Sequence, residues 1–199
     1  QKTAYEIPKR DWSSDVCSSD LHGAAARRRG AAGVGPTRPG SMIEFGPTLN
    51  ALTMAGVEFI VVGGAAATTH GSARLTQDLD VVYRRTPDNL ARVVESMAGV
   101  HPYLRGAPPG LPFRWDVETL KRGLNFTLAT DLGAIDFLGE IAGGGTYDDL
   151  LPETDVVRMF GVDCRCLRLD RLIAVKRAAG RPKRSEEHTS ELQSRFGIS

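Results

Sequence analysis

The sequence predicts an α/β chain of the α+β kind, with strands and helices following one another, and three local signals carry that prediction. Phe59-Ile60-Val61-Val62 is an unbroken apolar run that ends on Gly63-Gly64, the pattern of a buried strand leaving its sheet through a turn. Leu75-Thr76-Gln77-Asp78-Leu79-Asp80-Val81-Val82-Tyr83 is a second β-rich run, with Asp78 and Asp80 two apart inside it. Thr86-Pro87-Asp88-Asn89 then opens a helix, Thr86 placed to cap it and Pro87 at its first position.

In chain order, residues 46–56 place Leu49, Leu52 and Met54 or Ala55 along one side of a short amphipathic helix that Gly56 ends. Residues 58–62 are the first strand, 65–70 a helix of small residues, and 78–83 the second strand. The helix opened by Thr86 runs to about Met97, with Leu90, Val93, Val94 and Met97 on one face. Residues 101–113 form a Pro/Gly-rich loop, long enough to be either a cover over a substrate or a plain connection. A short helix at 116–121 precedes two runs, 124–130 and 133–138, which Asp131-Leu132 joins as a hairpin. Residues 147–151 make a helical turn, 155–160 and 163–167 two strands about Gly161, and 170–179 a last helix with Leu172, Ile173 and Val175 apolar. No internal repeat is visible.

In a strand, residues i and i+2 share a face, so Asp78 and Asp80 project together. Two carboxylates so placed raise each other's pKa. A cation between them removes that penalty, and oxygen ligands of this kind suit Mg²⁺. The Gly63-Gly64 turn lets backbone N–H groups approach a phosphate. Asp136 is a third carboxylate, set in an otherwise apolar run where Ala134, Asp136 and Leu138 share one face and Ile135 and Phe137 the other. Buried alone it would cost several kcal/mol. If its strand pairs beside the strand of Asp78 and Asp80, three carboxylates converge for metal-assisted phosphoryl or nucleotidyl chemistry. The alternative is an Asp paired with an Arg or with backbone donors. Ser72 and Arg74 lie between turn and carboxylates, and Arg74 is placed either to meet a leaving pyrophosphate or to face solvent. His70 is either a nucleotide contact or a capping, core-edge histidine, and Trp115 either a core anchor or a platform for a base.

The 199 residues hold 25 Lys and Arg against 24 Asp and Glu, a net charge of +1, which is no nucleic-acid signature. Basic residues gather only late, at Arg165, Arg168, Arg171, Lys176, Arg177, Arg181 and Lys183, as a solvated helix face or a phosphate or RNA contact. No apolar stretch approaches the roughly 20 residues that span a membrane, so no membrane role is expected. Cys164 and Cys166 fall on one strand face, a poor geometry for a disulfide, and reduced thiols suit a cytoplasmic protein.

Both ends are expected to be foreign to the domain. Residues 11–21 can be encoded by one strand of a short duplex whose other strand encodes residues 184–194, and that duplex resembles a sequencing adapter. Residues 22–41 are rich in Ala, Arg, Gly and Pro without periodicity. Residues 1–41 are accordingly expected to be an artefactual or disordered leader, 42–183 a domain that starts at Met42 and is cut short after Lys183, and 184–199 an artefactual tail. Within 42–183, 16 Lys and Arg stand against 17 Asp and Glu.

Gly63-Gly64, then Asp78-Leu79-Asp80, then Asp136 on a later strand resembles the polymerase-β-type nucleotidyltransferase superfamily. Within it the pattern is most similar to small bacterial nucleotidyltransferase-like proteins, the toxins of AbiEii-type toxin–antitoxin systems among them. The likeness is specific over 59–83 and extends weakly to 183. It implies a mixed β-sheet flanked by helices, two Mg²⁺ ions and an NTP. It places the triphosphate at Gly63 and Gly64, where many relatives have Gly-Ser, and the metals at Asp78, Asp80 and Asp136. Asp136 would also accept the proton of the attacking hydroxyl. Lys176 best matches a late-helix phosphate ligand, with Arg181 and Lys183 next. The implied activity is transfer of NMP from an NTP to a hydroxyl of tRNA, a protein or a small molecule, and an antitoxin-like partner is compatible with it. A non-catalytic nucleotide- or partner-binding module on the same fold is the alternative. Other motifs fail: residues 63–74 lack the Gly-Lys-Ser/Thr ending of a P-loop, no Gly-x-Gly-x-x-Gly follows a strand, and no calcium loop, nucleophile elbow or zinc spacing is present.

Overall fold

The β-rich runs of the sequence become strands of one sheet in the computed structural model, which describes residues 45–179. The leader, the tail, Met42, Arg181 and Lys183 lie outside the described residues. Strands β1 (Phe59–Val61), β2 (Asp78–Tyr83), β3 (Tyr103–Leu104), β4 (Asn125–Thr130), β5 (Gly133–Leu138), β8 (Thr154–Met159) and β9 (Val162–Leu167) form a seven-stranded sheet in the order β3-β4-β5-β2-β1-β9-β8. Two further strands, β6 (Glu140–Ile141) and β7 (Gly145–Thr146), pair only with each other. At two residues each they are too short for a periodicity to show. The sheet is mixed: β2 runs parallel to β5 and β1 parallel to β9, while the remaining neighbours are antiparallel.

Helices α1 (Gly46–Met54), α2 (Gly63–Thr69), α3 (Pro87–Met97), α4 (Val117–Arg122), α5 (Tyr147–Leu150) and α6 (Leu169–Ala178) flank it, so the fold is α+β with a mixed sheet, as the sequence predicts. α2 packs on β2 and on α6, and α1 packs on α3 and β9. α2 begins at the glycines themselves, two residues earlier than the sequence suggests. Glycine is a poor helix former, but Gly63 sits at φ +63, which turns the chain out of β1 straight into the helix. Helix α4 is capped by Asp116, whose carboxylate accepts from the Thr119 N–H at 2.8 Å. Thr86 precedes α3 without a side-chain cap bond. Asn89 works nearby instead, bonding Glu58 and Arg84 backbone groups.

β1 is buried throughout, and in β2 everything after Asp78 is buried, which explains why neither run alternates apolar with polar. Tyr83 and Phe137 meet edge-to-face at 5.8 Å between ring centres. Trp115 packs 5.5 Å from both Phe126 and Phe137, the core-anchor role of its two readings. His70 Nε2 donates to the Leu167 carbonyl at 2.9 Å, joining the end of α2 to the end of β9 as a core-edge histidine does. Cys164 and Cys166 are free and buried, and burial pushes the Cys164 thiol up to about 11. Among the described residues no helix is long and apolar enough to cross a membrane.

Candidate active site

Strand register brings the three carboxylates together. β2 and β5 pair parallel with Asp78 opposite Ala134 and Asp80 opposite Asp136. Registered residues of neighbouring strands share a face, and so do residues two apart. Asp78, Asp80 and Asp136 therefore occupy one face at the centre of the sheet. Asp80 is the deepest, 9% exposed.

The glycines are fitted to this carboxylate. A Cβ on Gly63 would stand 1.9 Å from Asp80 Oδ2, and one on Gly64 would stand 2.5 Å from Thr76 Oγ1. Gly63 is thus required twice, by its left-handed φ and by the space Asp80 fills. The Gly64 N–H donates to the Asp80 carboxylate. The amide that the sequence assigns to a phosphate is directed here at a side chain of the same protein. Thr76 fills the space above Gly64 and donates its hydroxyl toward Asp78, 3.2 Å from both the backbone oxygen and Oδ1.

A residue that sequence reasoning missed completes the cluster. Arg105 Nη1 donates to Asp78 Oδ2 at 3.3 Å, and Nη2 donates to Asp136 Oδ1 and Oδ2 at 2.9 and 3.1 Å. Its backbone N–H bonds the Thr127 carbonyl of β4, and from there the side chain reaches across β5 to β2. The pairing of Asp136 with an arginine, one of its two sequence readings, is what stands in this arrangement. No spacing rule could have found Arg105, because its partners lie 27 and 31 residues away. The only signal was the length of the loop that carries it.

Burial above all, then the charges of Asp78 and Asp136, push the Asp80 carboxyl up to about 8, against the opposing pull of the Gly64 N–H and Arg105. Burial likewise raises Asp136 to about 6, with Arg105 the main influence pulling it back down. Ser72 is buried, its hydroxyl 3.4 Å from the Arg74 N–H that donates to it, while Arg74 is exposed. Lys176 is half-buried in the last turn of α6, the helix packed on α2.

The donor set fits a hard divalent cation in kind, being carboxylate oxygen without thiol or imidazole. As the side chains stand, however, no group of three or more His, Cys, Asp or Glu among the described residues is gathered closely enough to hold an ion. A guanidinium occupies the span between two of the three carboxylates.

No family model matches the chain, and no curated protein matches it. Among solved structures, the chain is similar to a Thermotoga maritima protein described as a "putative nucleotidyltransferase", at 15% identity and a TM-score of 0.46, over 74% of this chain and 89% of that one. The chemistry of the site is therefore read from its own residues.

Proposed function

We propose that the chain is a nucleotidyltransferase that moves NMP from an NTP to a hydroxyl acceptor. The observation that carries this reading is the convergence of Asp78, Asp80 and Asp136 on one face of β2 and β5, directly beside the glycines that open α2. Two Mg²⁺ ions held by these carboxylates would supply Lewis-acid stabilisation of the phosphoryl oxygens. The acceptor oxygen attacks the α-phosphorus in line, a new P–O ester bond forms, the α–β anhydride bond breaks, and pyrophosphate leaves. The hydroxyl proton would pass to the Asp136 carboxylate. Gly63, Gly64, Ser72, Arg74 and Lys176 are the candidate triphosphate ligands, and at the two glycines a phosphate would have to take the place that Asp80 and Thr76 now fill. Transfer to RNA or protein by a toxin-like enzyme with an antitoxin partner is the leading form of the proposal, and a small-molecule acceptor the next. Reduced, buried Cys164 and Cys166 support a cytoplasmic setting.

A second reading, a non-catalytic binding module, is favoured by one observation: Arg105 pairs with both Asp78 and Asp136 from within the chain. Transfer of label from each α-³²P-NTP into a cell extract with Mg²⁺ decides between them, comparing the full chain with Asp78→Asn. Asp78 is the variant of choice because it leaves the Gly63–Asp80 contact alone. Label entering an RNA or protein band, and falling at least about 100-fold in the variant as expected when a group that stabilises transition-state charge is lost, supports the enzyme. No label from folded protein supports the module.

A further inference from the structure

We propose that Arg105 is a resident counter-ion, which a divalent cation must displace from Asp78 and Asp136 before it can occupy the site. The inference rests on the metal-site reading given above and deepens it. The guanidinium takes three hydrogen bonds' worth of carboxylate, one to Asp78 and two to Asp136. A planar fork on carboxylate oxygens uses the same lone pairs that a cation would. The two occupants therefore exclude each other.

Charge makes the exchange favourable. Asp78 and Asp136 offer two carboxylates to one guanidinium, and Asp80 has no hydrogen bond from it. A doubly charged ion balances the cluster better than a single guanidinium does. Geometry makes the exchange feasible. The Arg105 side chain is 35% exposed, so water and ions reach it. The segment that follows Arg105 bonds mostly to itself: Ala107 N–H to the Leu104 carbonyl, and Tyr103 Oη to the carbonyls of Pro108 and Leu111. Gly106 and Gly110, both at positive φ, punctuate it. Swinging the guanidinium away breaks its ion pairs to Asp78 and Asp136.

The test is direct Mn²⁺ binding to the full chain without nucleotide, followed by the electron paramagnetic resonance of free Mn²⁺. Arg105→Gln should bind Mn²⁺ on the order of tenfold more tightly than the natural chain, a change of about 1.4 kcal/mol. Arg105→Lys, which keeps the charge but loses the fork, should fall between the two, and it carries the test if Arg105→Gln does not fold. Arg158→Gln, which removes a charge paired with Asp163 on the β8–β9 hairpin, should leave affinity unchanged. Asp78-dependent binding that is equal or weaker in the Arg105 variants overturns the counter-ion role and leaves the metal-site reading standing. Absence of Asp78-dependent Mn²⁺ binding in every variant overturns both.

Discussion

Asp80 is the residue on which the site's electrostatics turn. In the folded chain its carboxyl keeps its proton up to about pH 8, chiefly through burial, whereas an ordinary aspartate releases it near 3.8. Between those values the folded state binds a proton that the unfolded state has lost, so stability is greatest at the acid end and declines as pH rises toward 8. Asp136 acts in the same sense up to about 6. In the presence of a chelator, the melting temperature should therefore fall by several degrees from pH 5 to pH 8. Asp80→Asn, which is neutral throughout, should flatten that slope, and thermal unfolding followed by circular dichroism at a series of pH values measures it. An unchanged slope would show that another group carries the dependence. The carboxylates themselves were legible in the sequence, because alternation along a strand is a local rule that needs no knowledge of the fold. Arg105 and Thr76 were not. Arg105 meets its partners only after β3, β4, β5 and β2 have assembled, and Thr76 earns its place through the absence of a side chain on Gly64.

At the scale of elements, one buried amide adds a polar tie between α3 and the sheet to the apolar packing of Leu90, Val93 and Met97. Asn89 is fully buried, accepts from the Glu58 N–H at 2.7 Å, and donates to the Glu58 and Arg84 carbonyls at 3.0 and 2.8 Å. It therefore clamps the chain entering β1 to the chain leaving β2. Asn89→Ala takes the partner from the Glu58 N–H and the Arg84 carbonyl, while the Glu58 carbonyl keeps the Arg84 N–H, and it should destabilise the protein by about 2–3 kcal/mol. Urea denaturation measures the loss, and a cost under about 0.5 kcal/mol would mean that water replaces the amide in full. Thr86-Pro87-Asp88-Asn89 announced a helix start correctly, but composition could not tell that the fourth residue looks backward to β1 rather than to its own helix. The boundaries of α2 were displaced for a related reason. Propensity treats two glycines as a break, whereas here the positive φ at Gly63 is how the helix begins. The strands of the two hairpins, 125–138 and 154–167, were placed almost to the residue, since each carries its own turn.

For the whole molecule, the sheet order sets where rigidity lies. β2 and β1 are central, and each is held on one side by a parallel neighbour from far along the chain, β5 and β9 respectively. Their amides can exchange only when most of the sheet opens. Hydrogen exchange read by mass spectrometry should find the slowest amides in β1, β2 and β5, and fast exchange over residues 106–113. Equal protection of that segment would mean that it is tied down by more than its own hydrogen bonds. The floor of the site thus lies at the centre of the sheet, and the arginine that covers it is borne where β3 gives way to a loop. The fit between Gly63 and Asp80 has a consequence on a longer scale, that of descent. A side chain at 63 and a carboxylate at 80 cannot coexist in this geometry. In a lineage that keeps the chemistry, both positions are frozen together. In one that abandons it, loss of the acid releases the glycine from one of its two constraints. A related chain that keeps the glycine but has lost the acid would then mark a recent departure, and one that has changed both an older one.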